Sequence, residues 1–261
     1  MKSRVISLVA IVLAPCLLKA DDWHKHWVVS GKPEVHVLTG DASVLVEAAG
    51  DGSVDARVTT RGWAIGGSSG VQVIEHQTGN RVEIEVKVPG MRFDLGNHSV
   101  RLTVRVPREL AGEIRTGDGS IELRGLRGPI HAVTGDGSIR ADNMDGALTA
   151  YTGDGSVHVH GRFDNLQIRT SDGSVEVDVL PGSRLESAWR VQTGDGSVRL
   201  TVPRDLAADL EMRTGDGHIQ VDLPLTVSGR QDGHQVQGKL NGGGPTLLVR
   251  TGDGSISLGA T

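Results

Sequence analysis

The pentapeptide TGDGS stands at residues 116–120, 134–138, 152–156, 193–197 and 251–255, with near copies TSDGS at 170–174, TGDGH at 214–218, TGDAS at 39–43 and AGDGS at 49–53. A phrase that returns so often ties the chain to an architecture that repeats with it. The aspartates fall at 118, 136, 154, 172, 195, 216 and 253, so the first three steps are 18 residues and the later ones 23, 21 and 37. Degenerate versions, TGNRV from Thr78 and LGNHSV from Leu95, carry the pattern into the amino-terminal half.

Around each phrase, apolar and polar residues alternate. Leu166, Ile168 and Thr170 lead in, Val175, Val177 and Val179 lead out, and Gln167, Arg169, Glu176 and Asp178 lie between. Period two means strands with one buried face. A second corner falls opposite, in GLRGPI, NMDGAL and GRFDNL, so one period reads strand, corner, strand, corner. An antiparallel meander would expose an apolar face that no remaining segment is large enough to cover. A solenoid instead closes the two strands of each coil on one another and stacks the coils. The expected fold is therefore all-β: a right-handed single-stranded β-solenoid, or β-helix, of roughly 18–23-residue coils with TGDGS corners, right-handed because parallel crossovers almost always are. Degenerate coils are expected over 21–110 and regular ones over 111–261, with the first strands and the Gly-rich last coil as the two ends.

Outward-facing residues provide an independent check. The position two after the serine reads Glu122, Arg140, His158, Glu176, Arg199 and Gln220, and two further on Arg124, Asp142, His160, Asp178, Thr201 and Asp222. Charges tend to alternate from rung to rung, as in-register stacking favours.

The GDG corner has two readings. As a turn, its glycines supply positive-φ conformations while Asp and Ser accept hydrogen bonds from corner N–H groups. As a site, stacked coils would set one carboxylate above another at about 4.8 Å, and Asp118, Asp136, Asp154, Asp172 and Asp195 would form a calcium ligand column. The opposite corner carries no consistent acid, and Asn80 and Asn97 stand where Asp is expected, which favours the turn. No metal or cofactor site is assigned.

Residues 1–20 read as a secretory signal peptide: Lys2 and Arg4 precede an apolar run from Val5 to Leu18, with Ala20 at the cleavage position. Cys16 in LAPC opens a second possibility, lipid attachment, although Pro15 fits that box poorly. After simple cleavage residues 21–261 hold no cysteine, hence no disulfide. The 27 basic and 32 acidic residues of the full chain become 24 and 32 once Lys2, Arg4 and Lys19 are lost, a net of −8 that argues against nucleic acid or anionic lipid as the main partner. No segment of the mature chain suits a transmembrane helix.

Other candidates have bland readings. His24 and His26 form an H-x-H pair without a further ligand nearby; His158 and His160 share a face with Glu176 and Asp178 as members of a charge ladder. Arg115, Arg169, Arg213 and Arg250 precede corner threonines in a basic stripe interrupted by Val133, Tyr151 and Gln192. Trp23, Trp27, Trp63 and Trp189 are too dispersed to define a sugar platform. The longer loops, RGWAIGGSSG and SGRQDGHQVQGKLNGGGP, hold no acid, base and nucleophile set, and no GxSxG, HExxH or P-loop phrase occurs, so no catalytic residue is assigned.

The opening HKHWVVSGKPEVHVLTGDASVLV, the extended RVEIEVKVP and SVRLTVRVP, the tandem TGDGSV coils and the closing LNGGGPTLLVRTGDGSISL resemble the bacterial DUF4097 family of β-strand-repeat proteins, whose members are often labelled adhesins. The resemblance spans nearly the whole mature chain. It implies a β-solenoid exported to the periplasm or cell surface and carries no catalytic residues across. The expected function is a non-enzymatic adhesin, scaffold or binding module for an envelope protein or polysaccharide. A calcium-stabilised repeat protein is the alternative, and a glycan-active enzyme a distant third.

Overall fold

The computed structural model describes residues 18–19, 22–50, 52–61, 70–88, 99–231 and 233–261. Residues 1–17 and 20 of the leader, with Cys16 among them, Trp63, the LGN of the second degenerate phrase and most of the loop from Arg61 lie outside them. The described chain is all-β, built mainly from parallel strands in register, and its hydrogen-bonded ladders form one large open sheet that folds over on itself in a solenoid-like way.

Two faces enclose the core. One, here the A face, contains the strands that lead into the corners. Glu34–Thr39, Ala111–Thr116, Ile130–Val133, the end of Ile139–Tyr151, the end of Val157–Arg169 and Trp189–Gln192 are parallel neighbours in that order. The other, the B face, contains the strands that leave the corners: Ser43–Ala48, Ile121–Arg124, the starts of the same two long strands, Val175–Val179 and Val198–Val202. Every second residue points inward, and Ile114, Ile121, Leu123, Ile139, Leu148, Leu166, Ile168 and Leu200 are fully buried between the faces. Parallel sheets require such two-sided cover, and here each face covers the other.

The opposite corner differs from expectation in the middle of the molecule. Ile139–Tyr151 and Val157–Arg169 each run 13 residues through it without a break and pair with one another along most of that length. The bend is absorbed by register shifts between Ala141 and Met144 and between Gly146 and Ala147, with Asn143 and Gly146 at positive φ. Two neighbouring strands that bend alike keep their ladder, and this joins the A and B faces into one sheet.

Spatial order departs from chain order at both ends. The coil of Glu34–Thr39 and Ser43–Ala48 lies between Arg81–Lys87 with Ser99–Val106 on one side and Ala111–Thr116 with Ile121–Arg124 on the other. At the far end, Thr246–Arg250 and Ile256–Ala260 insert between the 189–202 coil and the strands Ala208–Arg213 and Ile219–Val221. The Gly-rich last coil is therefore interior rather than an end, which accounts for the step of 37. The antiparallel hairpin Thr226–Gln231 with Gln235–Leu240 occupies the A-face edge instead. At the other end, Asp22–Val28 pairs antiparallel with Ser53–Arg61, so the first strands do form an edge as expected. That strand directs Trp23 and Trp27 into the core opening, ring centroids 6.0 Å apart, and Lys25 into a 2.7 Å ion pair with Glu75. An inward-pointing charge makes this edge a poor template for further strands.

Candidate functional site

The TGDGS corner is a stacking device. Its second glycine is buried, and its Cα sits directly against the coil below: a Cβ built on Gly155 would lie 2.1 Å from Gly137 O, and one on Gly173 2.1 Å from Gly155 O. The same approach recurs at Gly137, Gly196 and Gly254, where no side chain fits. None of these glycines has positive φ. The expected conformational reason is thus replaced by a steric one: backbone lies on backbone, and only glycine leaves room.

The threonine completes the contact. Thr152 is buried, and its Oγ1 lies 3.2 Å from Gly135 O and 2.8 Å from Gly137 O of the coil below. The Gly155 N–H of its own coil donates to the same oxygen at 3.3 Å. Thr116, Thr134, Thr170, Thr193, Thr214 and Thr251 repeat the donation to the coil beneath. First glycines add a column of N–H···O bonds: Gly135 N–H donates to Gly117 O at 2.5 Å and Gly153 N–H to Gly135 O at 2.5 Å. A β-branched residue beside a core reads as an ordinary strand position, so the sequence concealed this hydroxyl's task; its recurrence at the head of every copy but AGDGS was the available signal. Thr39, at the first corner, has a buried Oγ1 without a partner among the described residues.

Asp118, Asp136, Asp154, Asp172, Asp195, Asp216 and Asp253 all stand exposed on the rim. Among the described residues, no hydrogen bond engages these carboxylates, so the expected acceptance of corner N–H groups is not seen there; Ser255 and Ser197 each accept one backbone N–H at 3.3 Å. Among the described residues, no group of three or more His, Cys, Asp or Glu is arranged to hold a metal ion.

The outward rows are in register as expected over Glu122, Arg140, His158, Glu176 and Arg199, with Ser257 of the inserted coil next. His158 lies 3.6 Å and Arg199 4.0 Å from Glu176. His160 pairs in register with Asp178. His26 Nδ1 lies 2.8 Å from Asp55 and His24 3.8 Å from the same carboxylate. Burial pushes Asp55 up, but the His26 hydrogen bond, with lesser help from Ser53 and His24, holds it below its ordinary value. Arg115, Val133, Tyr151, Arg169, Gln192, Arg250 and Arg213 do share one A-face row. The stripe is largely neutralised: Arg115 bonds Glu113 at 2.6 Å, and Arg250 and Arg213 share Glu211 at 3.0 and 3.3 Å. Trp189 is core, its Nε1–H donating to Asp164 O at 3.2 Å.

A feature missed in the sequence lies on the A face near its amino-terminal edge. His76, Glu83, His36, Glu113 and His131 are register partners across five strands, a row of alternating imidazole and carboxylate. His36 lies 2.6 Å from Glu34 and 3.1 Å from Glu113. The Arg115 hydrogen bond holds Glu113 below its ordinary value against burial, with the charges of Arg115, His36 and His131 adding to it. Burial, then Arg115, pushes His131 below its ordinary value, and Glu113 opposes them. His131 Nε2 is buried without a partner, and the ring meets Tyr151 edge to face at 5.8 Å. Beside the row, a groove of 310 Å³ has Leu38 and Ile74 among His36, His76, Glu83 and Glu113. Leu38 is 50% exposed and Tyr151 39%, which leaves an apolar fringe on a charged face. The row became visible only once the register of strands around residues 72–87 was known.

No curated protein matches the sequence. Among solved structures, the chain is similar to a putative cell adhesion protein from Clostridium sporogenes (12% identity, 92% of this chain and 100% of that one, TM-score 0.42). It is also similar to a putative lipid binding protein from Parabacteroides distasonis (16%, 91% and 96%, 0.45) and a putative adhesin from Parabacteroides merdae (12%, 91% and 96%, 0.46). The Toastrack DUF4097 family model matches residues 37–259, from the strand before the first corner to the inserted last one. With that match over most of its length, the chain belongs to the Toastrack DUF4097 family.

Proposed function

We propose that the mature chain is a non-enzymatic, exported binding module, an adhesin or cell-envelope scaffold, built as a right-handed β-solenoid that presents its broad faces to an envelope protein or polysaccharide. The observation that carries this reading is the A-face groove, where Leu38 stands exposed beside the His–Glu row, with Tyr151 exposed in the adjoining groove at the His131 end of that row. A rigid sheet loses little freedom when it binds, so a modest apolar fringe with charged neighbours suffices for recognition. Export rests on the leader-like residues 1–20, and the right hand on the general behaviour of parallel crossovers.

The test is biolayer interferometry of immobilised residues 21–261 against envelope polysaccharides and surface-protein fractions, with sugar release assayed in parallel. A partner that binds, raises the melting temperature and is lost on Leu38→Glu supports the reading. Release of reducing sugar from any of these polysaccharides overturns it.

A further inference from the structure

The B face carries an unassigned groove near the same end, 420 Å³ in volume and lined by Ser43, Thr59, Arg61, Ser99, Val100 and Arg101. Three adjacent strands build it. Ser43 and Thr59 are the register partners of Arg101 on either side, and Ser99 is the partner of Arg61. Arg61 and Arg101 are thus diagonal neighbours on one face, a separation of about 7–8 Å at Cβ that long side chains readily span.

Nine of the described arginines rest on carboxylates, among them Arg81 on Glu83, Arg105 on Glu47, Arg115 on Glu113 and Arg162 on Asp145. Among the described residues, Arg61 and Arg101 rest on none. The nearest outward acids along these strands, Asp55 and Glu47, are engaged by His26 and Arg105. Like charges placed diagonally on one face repel. Guanidinium forks and hydroxyl donors are the set that binds tetrahedral oxyanions.

We propose that this groove binds a phosphate group, held by Arg61 and Arg101 with hydrogen bonds from Ser43, Thr59 and Ser99. It lies on the opposite face from the A-face groove and does not depend on the reading above. The phosphate is either free or the headgroup of an anionic lipid, and the experiment separates the two sources.

Residues 21–261 would be titrated calorimetrically with inorganic phosphate and, separately, floated with phosphatidylcholine vesicles with and without phosphatidic acid. The variants are Arg101→Gln, Arg61→Gln and, as an exposed arginine outside the groove, Arg140→Gln. The expected result is binding that weakens by about tenfold or more in each groove variant and stays unchanged in Arg140→Gln. Phosphate binding in solution identifies a free anion as sufficient; flotation with phosphatidic acid alone identifies a lipid-borne one; both support the site. Failure of wild type to bind either probe, or equal losses in Arg140→Gln and the groove variants at unchanged melting temperature, overturns it.

Discussion

The two edges of each coil are built on different principles. On the TGDGS edge, backbone stacks on backbone: the second glycine fits under the next carbonyl with no room for a methyl group, and a buried threonine bonds both coils. On the opposite edge, side chains stack. Lys32, Glu109, Arg127, Asp145 and Arg162 alternate in charge along the solenoid, with contacts of 3.2, 3.4, 3.7 and 2.6 Å. The glycines there, Gly125, Gly128 and Gly146, do have positive φ. Chain length is fixed on the first edge and free on the second, where residues 180–188 are added between Val179 and Trp189 without disturbing the corners at 170–174 and 193–197. A repeat is strict where its copies touch through backbone and loose where they touch through charged side chains.

The sharpest way to break that contrast is Gly155→Ala. Its methyl group would meet Gly137 O at 2.1 Å with no flexible partner to yield, so a loss of about 3 kcal/mol or more is expected in urea unfolding. Gly259→Ala, with nothing within 4 Å, is expected to stay within about 0.5 kcal/mol. Similar losses in the two would end the close-approach account.

Next in size is the threonine. Thr152→Val keeps shape but removes the donor to Gly135 and Gly137 and the acceptor for Gly155 N–H, at an expected cost of about 1–3 kcal/mol. Thr39→Val removes a buried hydroxyl that has no partner and should be neutral or stabilising when measured alongside it.

The side-chain edge should respond weakly. Asp145→Asn loosens Arg127 and Arg162, both at least half exposed, and should cost under about 1 kcal/mol, shrinking as salt is added. A pH effect sharpens the picture on the A face. His131 is held below its ordinary value, so its neutral form favours the fold; stability is full above the unfolded value of 6.5 and falls as pH drops through the lower folded value. Glu113, also held low, adds a loss at more acidic pH, because its charged form favours the fold above the unfolded value of 4.5. Thermal melts from neutral to acid pH should decline in wild type, and His131→Gln should flatten the upper part of that decline.

Much of the fold was legible because period-two alternation and an 18-residue step both report local geometry. Val175, Val177 and Val179 point inward in register with Val157, Val159 and Gly161, as their spacing implied. What stayed hidden depends on which coil is the neighbour. Spacing along the chain cannot reveal that Thr251 bonds Gly196 while Thr214 bonds Gly254, the inversion that places the last coil inside. Nor does a glycine announce its purpose: Gly146 needs its φ, Gly155 needs its missing Cβ, and only the position of the adjacent chain tells them apart. The His76–Glu83–His36–Glu113–His131 row was concealed for the same reason, since its strands meet across segments distant in sequence.

The central claim is that the TGDGS column is held by threonine and glycine and not by a cation on its aspartates. Thermal unfolding of residues 21–261, followed by circular dichroism in excess calcium and then in chelator, tests it directly. The account predicts the same β-sheet melt in both. A melting temperature that climbs with calcium concentration and collapses in chelator would contradict it, because that behaviour requires an ion bound to the folded column.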